Sequence, residues 1–160
     1  MGRPLAGAHA LLAATHPARA AETLALVRAV VPLAPSAGGA PPVSATVRTA
    51  PGAALAQLPA DRRELAELLV HETHHTKLAV LDELVPLWRP GGSLHRVGWR
   101  RDPRPVPGVL QGAYAHLALL DLWGAGPHRT RPVLAAARRR AVRGVPGAGR
   151  RGLVRAGRVR

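Results

Sequence analysis

LAELLVHETHHTKLAVLDELVPLW, residues 65–88, decides how the rest of this chain is read. Asp61, just ahead of it, can accept hydrogen bonds from the free amides of a first helical turn, and Glu64 has the spacing of a capping box. Leu65, Leu68, Leu69, Leu78, Leu81 and Val85 recur at three- and four-residue intervals, which predicts a helix with a buried apolar stripe. Pro86 stops it. Inside the helix, His71-Glu72-Thr73-His74-His75 satisfies H-E-x-x-H. His71 and His75 are four residues apart, so their imidazoles share a face and can reach one ion. Glu72 is turned about 100° around the axis, beside such an ion, where it can orient a bound water or take its proton. Two imidazoles without partners among apolar neighbours would cost several kcal/mol of desolvation. That cost favours a metal. His74 falls one position short of the shared face and reads as a bystander, or as a donor to one of the ligands.

The third ligand sets the chemistry. The extended H-E-x-x-H-x-x-G-x-x-H pattern of one zinc-peptidase group fails, because Leu78 and Leu81 occupy the Gly and His places. A second peptidase pattern needs a Glu on a later helix, and after Glu83 no Glu remains. Asp102, Asp121, His95 and His116 stay open as candidates.

Composition narrows the classes further. At 160 residues the chain supports one modest domain. It has no cysteine, which excludes disulfides, thiolate metal sites and thiol catalysis. No apolar run approaches the roughly 20 residues of a membrane span, and the N-terminal apolar stretch is soon broken by His and Arg, so a cytoplasmic location is expected. The net charge of +14 is unevenly spread. Residues 1–126 hold twelve Lys or Arg against nine acids, whereas residues 127–160 hold eleven Arg and no acid. The near-neutral body reads as a metal-binding domain, and the Arg/Gly/Pro-rich remainder as a disordered, low-complexity basic tail. Without interleaved aromatics, that tail is expected to bind nucleic acid at most weakly and non-specifically.

Along the body, residues 5–31 suggest one or two amphipathic helices. Residues 34–42 form a Pro/Gly loop, and residues 43–58 alternate as a β-hairpin. Residues 89–92 are a linker, the prolines of residues 99–108 forbid regular helix, and residues 109–123 are helical and apolar. The expected architecture is mainly α, at most α+β. The motif lies on a central helix beside one short hairpin.

Three stretches taken together, LLVHETHHTKLAVLDELVPLW, GWRRDPRP and GVLQGAYAHLALLDLW, resemble the HExxH-motif peptide-modification proteins of actinobacterial type. VVPL and SATVRTAPGAALAQLP also look like that family's approach to its motif, and the resemblance covers about residues 10–126. It implies an Fe(II)- and 2-oxoglutarate-dependent dioxygenase, an oxidoreductase that hydroxylates the β-carbon of a residue in a ribosomally synthesised precursor peptide. A radical-SAM maturase is the implied partner. His71 and His75 match the family's metal ligands, Glu72 its acidic residue, and Arg100, Asp102 and Arg104 its W-R-x-D-P-R-P element. The family's later histidine falls either where Gln111 or where His116 stands. Here only the second is His, so the resemblance favours His116 as third ligand, with Asp102 as the alternative.

A ferrous dioxygenase needs three protein ligands on one face and a cation for the distal carboxylate of 2-oxoglutarate. Arg suits that carboxylate because its planar fork pairs both oxygens, and Arg100, Arg101 and Arg104 lie in a proline-stiffened loop. Gly112 and Ala113 would let the last helix pack closely, while Trp99 and Tyr114 could wall the site. Family members are usually longer, and the Arg-rich end does not resemble their later helices. The alternatives are therefore a zinc metallopeptidase, or a truncated, degenerate copy serving as a basic binding module.

Overall fold

A computed structural model describes residues 2–35, 43–100 and 102–124. The expected basic tail and Arg101 lie outside the described residues, as does most of the Pro/Gly loop. The body is mainly α, with seven elements among the described residues. They are α1 (Gly2–Thr15), α2 (Pro17–Leu26), β1 (Ala29–Pro32), β2 (Ser44–Thr46), β3 (Ala53–Ala56), α3 (Arg62–Leu84) and α4 (Val106–Gly124). No helix among them is long and apolar enough to cross a membrane.

α3 is the centre of the molecule and carries the motif. Asp61 caps it as expected, its Oδ1 accepting from Arg63 N at 2.8 Å and Glu64 N at 2.9 Å. Helices α1, α2 and α4 and strand β2 all pack against it. Leu65, Ala66, Leu69 and Val70 meet Ala8 and Leu12 of α1, Ala20 of α2, and Ala118 and Leu122 of α4 in one core. The predicted stripe is only partly buried. Leu65, Leu69 and Leu78 are covered, but Leu81 is 47% exposed and Val85 64% exposed. The core lies along the first part of the helix; the last turns project past it. In the middle of α3 the buried positions are polar: Glu72, Thr73, His74 and Thr76.

The expected hairpin is present, β2 pairing antiparallel with β3 in the register Ser44↔Ala56, Ala45↔Leu55 and Thr46↔Ala54. Two boundaries differ from expectation. Residues 29–31, read as helix, form β1, which pairs parallel with β3 and completes a sheet of order β1-β3-β2. An apolar run this short has no period of its own, and pairing decides it. Pro32 is tolerated because β1 is an edge strand. Gly52, at φ +88°, docks the hairpin turn on the start of β1; a Cβ there would lie 2.6 Å from Leu26 O. The second difference is that α4 begins at Val106, inside the segment expected to be non-helical. Pro107 sits in its first turn, where amides have no helical partner and a proline costs nothing.

Candidate metal centre

The middle of α3 presents His71 and His75 together and turns His74 away from them. His71 and His75 face each other, Nε2 to Nε2 at 2.9 Å, with rings edge to face. His75 Nδ1 is 2.9 Å from Gln111 Oε1 on α4. A carbonyl oxygen can only accept, so His75 carries its proton on Nδ1 and its Nε2 accepts from His71 Nε2–H, a proton that a metal ion between the two rings would displace. This is the arrangement in which a metal-binding histidine is usually held, its far nitrogen anchored by a fixed acceptor. Burial, with the neighbouring His75, His116 and His74 adding to it, pushes the His71 imidazole down to about 3. It is neutral near pH 7, as a ligand must be.

Glu72 supplies the other half. It is 1% exposed. Its Oε2 accepts a hydrogen bond of 2.6 Å from Thr46 Oγ1 on β2, whereas its buried Oε1 has no hydrogen-bond partner among the described residues. One donor atom from each of His71, Glu72 and His75 lies within 4.8 Å of the other two. Two imidazole nitrogens at about 2.1 Å from one ion are typically about 3.0–3.4 Å apart, so the observed pair needs to open by only tenths of an ångström. The residues fit a divalent metal.

The other residues expected at the site are distributed around it. His116 is adjacent, its ring centroid 6.0 Å from that of His71, but it does not join the three-residue donor group. Its Nδ1 donates to Gly112 O at 2.6 Å, and its ring lies 5.2 Å from Trp99. Trp99 in turn packs on Gly112, where a Cβ would come within 2.9 Å of the indole Nε1, so the expected close approach of α4 is made there. Asp102 is exposed in the α3–α4 connection and is not part of the donor group. Tyr114 packs against His74 instead, with ring centroids 5.1 Å apart.

A cavity of about 280 Å³ opens beside His75, lined by Ser44, Thr46 and Arg48 on the hairpin and by Gln111 on α4. Neither Arg100 nor Arg104 lines it. Arg100 is exposed, and Arg104 is held by a two-way backbone pairing with His95 at 2.7 and 2.8 Å. The guanidinium at the cavity is Arg48, 3.2 Å from Asp82. Thr46 and Arg48 were not singled out from the sequence. A signal was there: Ser44, Thr46 and Arg48 recur every second residue, which puts a polar row on one strand face.

His74 is spoken for. It is 3% exposed. Its Nδ1 donates to Val70 O at 2.8 Å, and Arg19 of α2 donates to its Nε2 at 3.0 Å. Burial lowers its pKa. Arg19 also pairs with Glu22 at 3.0 Å and with Asp121 of α4 at 2.7 Å, and Lys77 reaches Glu22 at 2.7 Å. These charges join α2, α3 and α4. The Lys77 ammonium, with Arg19 second, holds the Glu22 carboxyl below its usual range.

No protein-family model matches the chain, and no curated protein is similar enough to count as a match.

Proposed function

We propose that this protein is a metal-dependent peptide-modifying enzyme, and that His71, Glu72 and His75 hold its metal. The observation that carries this reading is the Glu72 carboxylate, buried with Oε1 unpartnered among the described residues and with one of its oxygens within 4.8 Å of a nitrogen of each imidazole. An unpaired buried charge costs several kcal/mol, and a cation at the common focus of these donors offsets it. Glu72 takes the place of third donor expected of His116, which becomes a neighbour on the far side of His71.

Two nitrogens and one carboxylate on one face are the donor set of non-haem ferrous oxygenases. The same set also serves zinc in peptidases. The resemblance in sequence favours ferrous iron with 2-oxoglutarate and β-hydroxylation of a residue in a ribosomal peptide. With dioxygen as the oxidant and a 2-oxo acid as the co-reductant, lost as the one-carbon-shorter acid and carbon dioxide, a ferrous ion held by these residues would support C–H hydroxylation. The chain's own residues bind and orient. Gln111 fixes the His75 tautomer, Thr46 holds the Glu72 carboxylate from the hairpin side, and the cavity beside His75 receives the substrate. Arg48, rather than Arg100 or Arg104, is the cation placed to meet an acidic group there.

Metal analysis of protein purified without air tests the assignment. One equivalent of iron, a visible charge-transfer band on adding 2-oxoglutarate, and its loss on Arg48→Gln are expected. Retained zinc, with peptide cleavage that ignores 2-oxoglutarate, would replace the hydroxylase by a peptidase. No stoichiometric metal at all would remove the enzyme reading.

A further inference from the structure

We infer that the open edge of β2 is a docking strand for an extended peptide backbone, which it carries past His75. The inference rests on the metal-enzyme reading for its purpose, but on the sheet for its geometry. Gln57 N donates to Val43 O at 3.0 Å and Val47 N to Ala53 O at 3.4 Å, and Ala45 is opposite Leu55. In an antiparallel pair the bonded positions alternate, so Val43, Ala45 and Val47 turn toward β3. The N–H and C=O groups of Ser44 and Thr46 turn the other way. β2 is an edge of the sheet, and among the described residues no strand pairs with that side. Such a row of alternating donors and acceptors is matched by another extended backbone and by little else.

The surroundings agree with that occupant. Ser44 and Thr46 line the same cavity as His75 and Gln111. A peptide strand laid along β2 extends the sheet beside Ser44 and Thr46, and every second side chain it carries leaves on the face where the cavity and His75 lie. At about 280 Å³ the cavity is at the small end for ligand sites, with room for one side chain and its backbone rather than a folded domain. Thr46 serves both partners. Its backbone lies on the docking edge while its hydroxyl holds Glu72, so strand addition and the metal centre meet in one residue.

The probe is an acetylated, amidated octapeptide of alternating Thr and Val, N-methylated at every second residue so that it offers one hydrogen-bonding edge and cannot self-associate. Its binding is followed through the amide signals of Ser44 and Thr46, with a chelator and then with added metal. We expect saturable binding at millimolar peptide and slowed exchange of those two amides. The same peptide methylated at every residue should not bind. Ser44→Pro removes an outward N–H without touching the β2–β3 ladder, and should weaken binding by about tenfold or more at unchanged metal stoichiometry. Equal binding of the fully methylated peptide, or no binding of either, would overturn the proposal; these comparisons use the unaltered chain and do not depend on the proline variant folding. A dimer that dissociates on Ser44→Pro would overturn it in favour of a second copy on the edge. Peptide binding without metal binding would leave the docking edge standing and remove the enzyme reading, and metal without peptide would do the reverse.

Discussion

His74 and His75 are consecutive residues of one helix, yet their imidazoles have opposite fates. The His74 ring is closed at both ends, by the Val70 carbonyl and the Arg19 guanidinium, and is 3% exposed. His75 is anchored at Nδ1 by Gln111, while its Nε2 meets only His71, the other histidine of the donor group that includes Glu72. Burial alone does not distinguish ligand from scaffold here. The partner of the second nitrogen does. A histidine held at both nitrogens by scaffold groups stabilises the fold, whereas one whose second nitrogen meets only another ligand-type imidazole is available for chemistry.

The sharpest way to break this contrast is to remove the two facing imidazoles. His71→Ala or His75→Ala should abolish stoichiometric metal binding, read by metal analysis after desalting, while each variant still unfolds cooperatively. If His74→Ala proved equally damaging to metal occupancy, the division between the two faces would be wrong.

Next in size is a pH effect on the metal-free protein. The folded-state pKa of His71 is lowered to about 3, and its unfolded-state value is near 6.5. Between these the unfolded chain binds a proton that the folded chain refuses. Stability is therefore full above about pH 6.5 and falls as pH drops toward 3, by up to about 1.4 kcal/mol per pH unit from this group. Denaturant midpoints from pH 7 to 4 should show the decline, and His71→Ala should flatten it.

Thr46→Val tests whether the carboxylate is held from the hairpin. Deleting its hydroxyl leaves the second Glu72 oxygen unpaired, and metal affinity should weaken by about 10–100-fold. Unchanged affinity in competition with a chelator would mean that Glu72 needs no orienting partner.

On the scaffold side, His74→Ala should leave metal stoichiometry intact and cost about 1–3 kcal/mol in chemical denaturation. It strips the Val70 carbonyl and Arg19 of a buried partner. The smallest effect is expected at Arg48–Asp82, where the guanidinium side chain is 62% exposed. Asp82→Asn should change stability by at most about 1 kcal/mol, and a larger loss would show that this pair fastens the hairpin to α3.

Local sequence was sufficient for α3 and for the pairing of β2 with β3. A cap, a three-to-four periodicity and an alternating stretch act over a few residues, and each is legible where it occurs. The spacing of His71 and His75 is local in the same sense, since four residues on a helix share a face whatever surrounds them. By contrast, β1 exists because β3 pairs with it, and the early start of α4 at Val106 depends on a proline being tolerated in a first turn. How each of the neighbouring histidines is held was decided by Arg19, 55 residues from His74, and by Gln111, 36 residues from His75. The one hydrogen bond that holds the Glu72 carboxylate likewise comes from Thr46, 26 residues before it. Among the described residues, the guanidinium at the cavity is that of Arg48 on the hairpin rather than that of Arg100 or Arg104. Periodicity says which way a side chain leaves its helix, but only packing brings the distant donor or acceptor that satisfies it or leaves it free.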